Sequence, residues 1–177
     1  MRKVTRAALA LAGSAALIGV TAIPSFAATN STPVSVAVEG GVLAISVPVT
    51  TALTTAAPGA TSTTTLASTA VDDTRAGTVG WEATVTLPIL TGTKPTGAAE
   101  TITTADATYT AGTATPSGEV TVTAATVITD LTTAKPSQTA TAVHGNNTAS
   151  WAASLAVPIP DRALADTFSG TLTQSVA

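Results

Sequence analysis

Two nine-residue stretches, Trp81–Ile89 and Trp151–Ile159, share the pattern W-x-A-[TS]-[VL]-x-[LV]-P-I. In the first, Trp81, Ala83, Val85, Leu87 and Ile89 alternate with Glu82, Thr84 and Thr86. In the second, Trp151, Ala153, Leu155, Val157 and Ile159 alternate with Ala152, Ser154 and Ala156. A period of two held this long puts each apolar set on one face of a half-buried strand and is incompatible with an amphipathic helix. Proline has no N–H to give to a ladder, so each strand leaves its sheet or lies at an edge at Pro88 and at Pro158.

The rest of the chain agrees. Thr and Val are abundant, Leu, Glu, Lys and Arg are sparse, and Gly or Pro recurs at short intervals. These cues predict an all-β fold, a single antiparallel β-sandwich of the Ig-like or Greek-key type. Val34, Val36 and Val38 alternate with Ser35, Ala37 and Glu39. After Gly40-Gly41, Leu43, Ile45, Val47 and Val49 do the same, which predicts a hairpin. Further strands are expected over 101–109, 120–128 and 168–176, the last with Phe168, Leu172 and Val176 on one face. Residues 50–70 are nearly all Thr, Ala and Ser and read as short edge strands with loops between them.

At the N-terminus Arg2, Lys3 and Arg6 precede an uncharged run from Ala7 to Val20, then Pro24 and the small-residue site around Ser25-Phe26-Ala27. This is the layout of a secretory signal peptide, residues 1–27, cleaved after Ala27. As a helix the run would be about 20 Å long, short of the ~30 Å hydrocarbon core, so no transmembrane anchor is expected after signal removal. The expected mature domain is 28–177, secreted and extracellular. The last residues, Gln174–Ala177, carry no sorting motif, so attachment to the wall is expected to be non-covalent.

Beyond residue 27, Arg75, Lys94, Lys135 and Arg162 face ten carboxylates, a formal charge of −6. A few scattered cations on an acidic domain do not make a phosphate-binding surface, which excludes nucleic acid as a partner. The chain has no cysteine, so no disulfide can hold it and strand pairing and packing must. With one histidine, His144, a transition-metal site lacks ligands, and no metal and no cofactor is expected.

Three groups of residues invite a functional reading. Asp72-Asp73-Thr74-Arg75 reads as a structural turn, with Asp73 and Arg75 as its residues, in which one Asp bonds backbone amides and another pairs with Arg75; a cation site there would be opposed by the arginine. His144 lies in His144-Gly145-Asn146-Asn147, which reads as a solvated turn. The sequence also lacks a G-x-S-x-G elbow. A hydrolase would need two carboxylates such as Glu82 and Glu119 across a cleft. No catalytic residue is assigned and no enzyme activity is expected. Trp81 and Trp151 share a face with their strands' apolar residues, which favours the core. They are also the candidate ligand-binding residues, since Trp is rarely buried whole and its ring can stack on sugars.

The order of these pieces resembles the WxL-domain surface proteins of Gram-positive bacteria. The likeness comprises Gly41 to Pro48, then D-T-R followed by G-W and an alternating strand (Asp73 to Leu87), and Tyr-x-x-Gly (Tyr109 to Gly112). It closes with the second Trp strand into Val-Pro-Ile-Pro and F-S-G-T-L-T-Q-S-V (Trp151 to Val176). Ala83 and Ala153 stand where the family name requires Leu. The resemblance implies a non-catalytic cell-surface domain held non-covalently to peptidoglycan or to partner surface proteins. The alternative is a structural subunit that pairs through its Thr-rich strand edges, or a freely secreted binding module.

Overall fold

The computed structural model describes residues 29–93 and 100–177. The expected signal peptide, 1–27, lies outside the described residues. Residues 37–177 form one compact unit; of the other, 1–36, residues 29–36 are described and carry no strand.

The unit is all-β and antiparallel, a nearly closed, barrel-like sandwich. Its strands are β1 (Leu43–Ser46), β2 (Thr61–Asp73), β3 (Trp81–Thr86), β4 (Ile89–Gly92), β5 (Thr101–Thr103) and β6 (Thr108–Ala111). They continue with β7 (Thr115–Ala124), β8 (Ile128–Thr129), β9 (Lys135–Pro158), β10 (Phe168–Ser169) and β11 (Thr173–Val176). β9 organises the molecule. Its first half pairs with β3, which carries β11, and β7 runs along both halves, from Ala124↔Gln138 to Thr115↔Ser150. Its second half pairs with β2, which carries β1, and with β6, which carries β8.

One strand can serve both halves because it is kinked in the middle. From Ser117↔Thr148 to Glu119↔His144 and then to Thr121↔Thr141, β9 advances further than β7 at each step, so the extra residues bulge from β9. Ala142 (φ 51°) and Gly145 (φ 73°) adopt the left-handed region that such bulges need. A bulge bends its strand and increases its twist, and here it folds the ribbon over so that the two halves enclose one core.

That core contains Leu66, Val71, Trp81, Val85, Leu87, Tyr109, Leu131, Trp151, Leu155 and Val157. Trp81, Ala83, Val85 and Leu87 point inward as their alternation predicts, as do Trp151, Ala153, Leu155 and Val157. β3 ends two residues before Pro88 and β9 ends at Pro158. After Pro88 the chain crosses to a separate three-stranded sheet, β10-β4-β5. The crossing changes the phase, so Ile89 turns out to solvent and Leu90 turns in.

Several expectations are corrected. The hairpin over 34–49 does not form: β1 pairs with β2, and residues 29–42 have no strand assignment. A two-residue hairpin turn needs positive φ, which neither Gly40 nor Gly41 has. Instead the pair lies flat on the backbone of Thr74 and Arg75. Gly41 N–H donates to Thr74 O at 2.7 Å, and a Cβ on Gly40 would clash with Arg75 O. Residues 61–73 are one interior strand rather than short edge strands, with a bulge between Leu66 and Thr69. The second Trp strand begins far upstream, at Lys135, and His144–Asn147 is the bulge inside it rather than a turn. The stretches 101–109 and 168–176 each divide between two sheets, at the Thr104–Ala107 turn and around Gly170. Within 120–128, β7 ends at Ala124 and β8 starts at Ile128.

Candidate functional site

Asp73 ends β2 opposite Asn147 in β9, at the bulge. Its carboxylate is buried, with 2% of the side chain exposed. Oδ1 accepts from Arg75 Nε at 2.8 Å and from the Arg75 backbone N–H at 3.1 Å. Oδ2 accepts from Arg75 Nη2 at 3.0 Å and from Asn147 Nδ2 at 3.2 Å. Arg75 is then held by the carbonyls of Val79 and Gly80, and Asn147 Oδ1 accepts from the Trp81 indole N–H at 3.1 Å. The expected Asp73–Arg75 turn is thus one end of a chain of bonds running Arg75–Asp73–Asn147–Trp81. Asn147 was not a candidate from sequence, because nothing local marks it as the partner of a residue in β2.

The Arg75 guanidinium holds the Asp73 carboxyl below the ordinary carboxylate range, outweighing the opposing effect of burial. The Arg75 and Asn147 amide hydrogens reinforce the lowering. Asp130 is lowered as well, chiefly by the Thr132 hydroxyl. Groups that bind a proton less readily when folded stabilise the fold fully above their unfolded pKa, about 3.9 for Asp, and lose that contribution as pH falls through the lower folded value. Urea titrations should therefore give a stability that drops steeply below about pH 4, and Asp73→Asn should flatten the drop. An unchanged slope in the variant would remove Asp73 from the acid response.

Trp81 and Trp151 are each 3% exposed, so neither offers a ring face to a ligand. Their indoles differ. That of Trp81 is bonded to Asn147, whereas Trp151 Nε1 is buried without a hydrogen-bond partner. Near Trp151, Gln174 Oε1 accepts from Thr69 Oγ1 at 3.2 Å and from the Tyr109 hydroxyl at 3.1 Å. Burial pushes the Tyr109 phenol above its ordinary pKa, and the neighbouring Trp151 side chain offsets part of the rise. These residues tie β11 to the core.

The remaining sequence candidates lie on the outside. His144 Nδ1 is 3.7 Å from Glu119 Oε2, with both side chains exposed across the β7–β9 ladder. Glu82 sits opposite Thr139 in another stretch of β9, so the ladder does not set it facing Glu119. No cluster of three or more His, Asp or Glu able to hold a metal occurs among the described residues.

The sandwich has an open seam. β1 and β11 are the two ends of the strand order, and their Cα atoms approach within 8 Å without forming a ladder. Beyond them the seam widens into a cleft of about 550 Å³ between residues 47–53 and 167–172. Leu66, Leu87, Leu90 and Leu155 line it from the core side and Phe168 from the rim. A second cleft of about 390 Å³ lies on the other side of Leu53, Leu90 and Phe168, towards Ile102 and Ile159. The 47–54 wall is fixed to β2 at its far end: Thr54 N–H donates to Thr63 O at 2.9 Å, Thr54 Oγ1 accepts from Thr63 N–H at 3.0 Å, Thr54 O accepts from the Ser62 hydroxyl, and Thr51 Oγ1 and Thr64 Oγ1 share a bond of 3.1 Å. Sequence reasoning missed this site because its walls come from segments far apart in the chain.

No family model matches the chain, and no curated protein or solved structure matches it. Among the described residues no helix is long and apolar enough to cross a membrane.

Proposed function

We propose that this chain is an exported, non-catalytic cell-surface module that associates non-covalently with partner surface proteins or with the cell wall, using the open seam as its contact. The observation that carries this reading is the cleft of about 550 Å³ in a nearly closed sandwich, lined by core leucines and Phe168. Ligand sites are concave and largely apolar, with a few polar groups that fix orientation, here Gln174 and the threonines of the rim. Between the two contacts, the lining favours a protein segment. Sugar rings are recognised on exposed aromatic faces, and both tryptophans are buried.

Export rests on the layout of residues 1–27, and the surface role on the order of motifs shared with WxL-domain proteins. The test is sedimentation of the secreted chain with purified peptidoglycan, and in parallel with cell surfaces stripped of that polymer but retaining their proteins. Retention on the protein-bearing surface, reduced by Phe168→Asp, supports the seam as the contact. Equal recovery of the variant, or no retention on either material, overturns it.

A further inference from the structure

Gln174, half-buried in β11, lines the cleft of about 550 Å³, and its two amide atoms have different surroundings. Oε1 is turned to the core, where it accepts from Thr69 Oγ1 at 3.2 Å and from the Tyr109 hydroxyl at 3.1 Å. Both of those donors are buried. Among the described residues Nε2 has no hydrogen-bond partner, and it is not sealed in the core. The oxygen and nitrogen of an amide diverge from one carbon, so an oxygen aimed at the core leaves the NH2 group facing the cleft.

The direction of the amide is set by its neighbours. An indole is a donor and never an acceptor, and Trp151 Nε1, which has no well-formed hydrogen bond, interacts weakly with the Tyr109 oxygen. That oxygen therefore meets a donor on the Trp151 side and gives its own hydrogen to Gln174. With the amide reversed, Tyr109 would face donors on both sides and its hydroxyl hydrogen would be buried without an acceptor, a costly arrangement. The other polar side chains of the lining are threonine and serine hydroxyls, which rotate to give or to accept. Of the side chains lining the cleft, Gln174 is the polar one whose direction is fixed.

We propose that Gln174 makes the seam selective for a hydrogen-bond acceptor: a partner protein segment seats a large apolar side chain against Leu66, Leu87 and Leu155 and presents a main-chain carbonyl to the Gln174 NH2 group. This rests on the seam being the contact surface and names what it recognises. Entry is by side chain into the wide part of the seam, between residues 47–53 and 167–172, and needs no room between β1 and β11. Peptides join the two features the cleft asks for, since every residue carries a carbonyl next to its side chain. A ligand that offers only donors leaves the Gln174 NH2 group unpaired once water is expelled, which lowers affinity at least about tenfold.

The test uses two probes with one leucine-like skeleton. N,N-dimethyl-4-methylpentanamide accepts a hydrogen bond and cannot donate one, and 4-methylpentylammonium donates and cannot accept. Each is titrated into the isotope-labelled exported chain and followed by NMR. The chain has two glutamines, Gln138 and Gln174, so the signals of the Gln174 NH2 group are readily assigned. In the wild type the tertiary amide should move those signals downfield to saturation and bind at least about tenfold tighter than the ammonium. In Gln174→Glu the preference should reverse, because the carboxylate keeps the bonds from Thr69 and Tyr109 and places an acceptor where the donor was. Equal binding of the two probes by the wild type overturns the proposal. So does a Gln174 signal that stays still while the amide binds, a wild type that binds neither probe, or a folded Gln174→Glu that keeps the wild-type preference. The wild-type comparison decides the matter even if that variant does not fold. Surface retention separates this proposal from the reading it rests on. If Phe168→Asp lowers retention while the wild type shows no preference between probes, the seam is the contact and the role given to Gln174 is wrong. If retention ignores Phe168→Asp while the amide still moves the Gln174 signals, the surface contact is overturned and the selectivity of the cleft is upheld.

Discussion

Trp81→Phe lowers the stability of the fold by about 2–5 kcal/mol, and Trp151→Phe by about 1 kcal/mol, although the two rings are equally buried. Both substitutions open a cavity worth about 1–2 kcal/mol. In Trp81→Phe the Asn147 amide oxygen also loses the indole that donates to it at 3.1 Å. A buried acceptor left without a donor costs about 1–3 kcal/mol more. Trp151 Nε1 has no well-formed hydrogen bond to lose, only a weak interaction with the Tyr109 hydroxyl, so its removal relieves a buried donor and offsets part of the cavity. Denaturation of the two variants side by side measures the difference. Equal losses would mean that the Asn147 bond contributes nothing and that volume alone sets the effect.

Asp73→Ala costs about 2–3 kcal/mol, through the loss of charge-assisted bonds. The figure sits below that for a fully buried ion pair because the Arg75 side chain is 30% exposed and keeps the carbonyls of Val79 and Gly80. The more telling quantity is the coupling with Asn147→Ala. Asp73 and Asn147 are bonded at 3.2 Å across the β2–β9 ladder, so their losses should fall short of additive by at least about 1 kcal/mol in a double-mutant cycle. Additive losses would dissolve the four-residue chain into independent contacts.

The strands that sequence reasoning located best are those whose inward residues are all apolar. Trp81 to Leu87 and Trp151 to Val157 face the core as their alternation requires. β2 escaped because its buried positions include Ser62, Thr69 and Asp73 beside Leu66 and Val71, so burial there does not follow hydropathy. Its bulge between Leu66 and Thr69 also breaks the period of two. The middle of β9 escaped for the converse reason. His144-Gly145-Asn146-Asn147 has the composition of a turn, yet Gly145 uses its positive φ to bend a strand rather than to end one. Valine alternation at 34–38 is legible in sequence; that it pairs with no strand among the described residues is not. Of the candidate site, Asp73 with Arg75 was readable because the two are neighbours, while Asn147 and the seam depend on residues brought together from distant parts of the chain.

The placement of β9 also governs when this protein can fold. Asp73 pairs with Asn147 and Thr61 with Pro158, so the β2–β9 ladder joins residues 74 to 97 positions apart. Chains dominated by such distant pairings fold on the scale of about milliseconds to seconds, far slower than helical bundles of similar size. β2, β3, β6 and β7 all precede β9; β2 has only β1 and β6 only β8 to pair with before it, and β3 and β7 have no earlier partner. A chain delivered N-terminus first can form only the short β1–β2, β4–β5 and β6–β8 pairs before Lys135 emerges, and the large sheet closes only once β9 has followed.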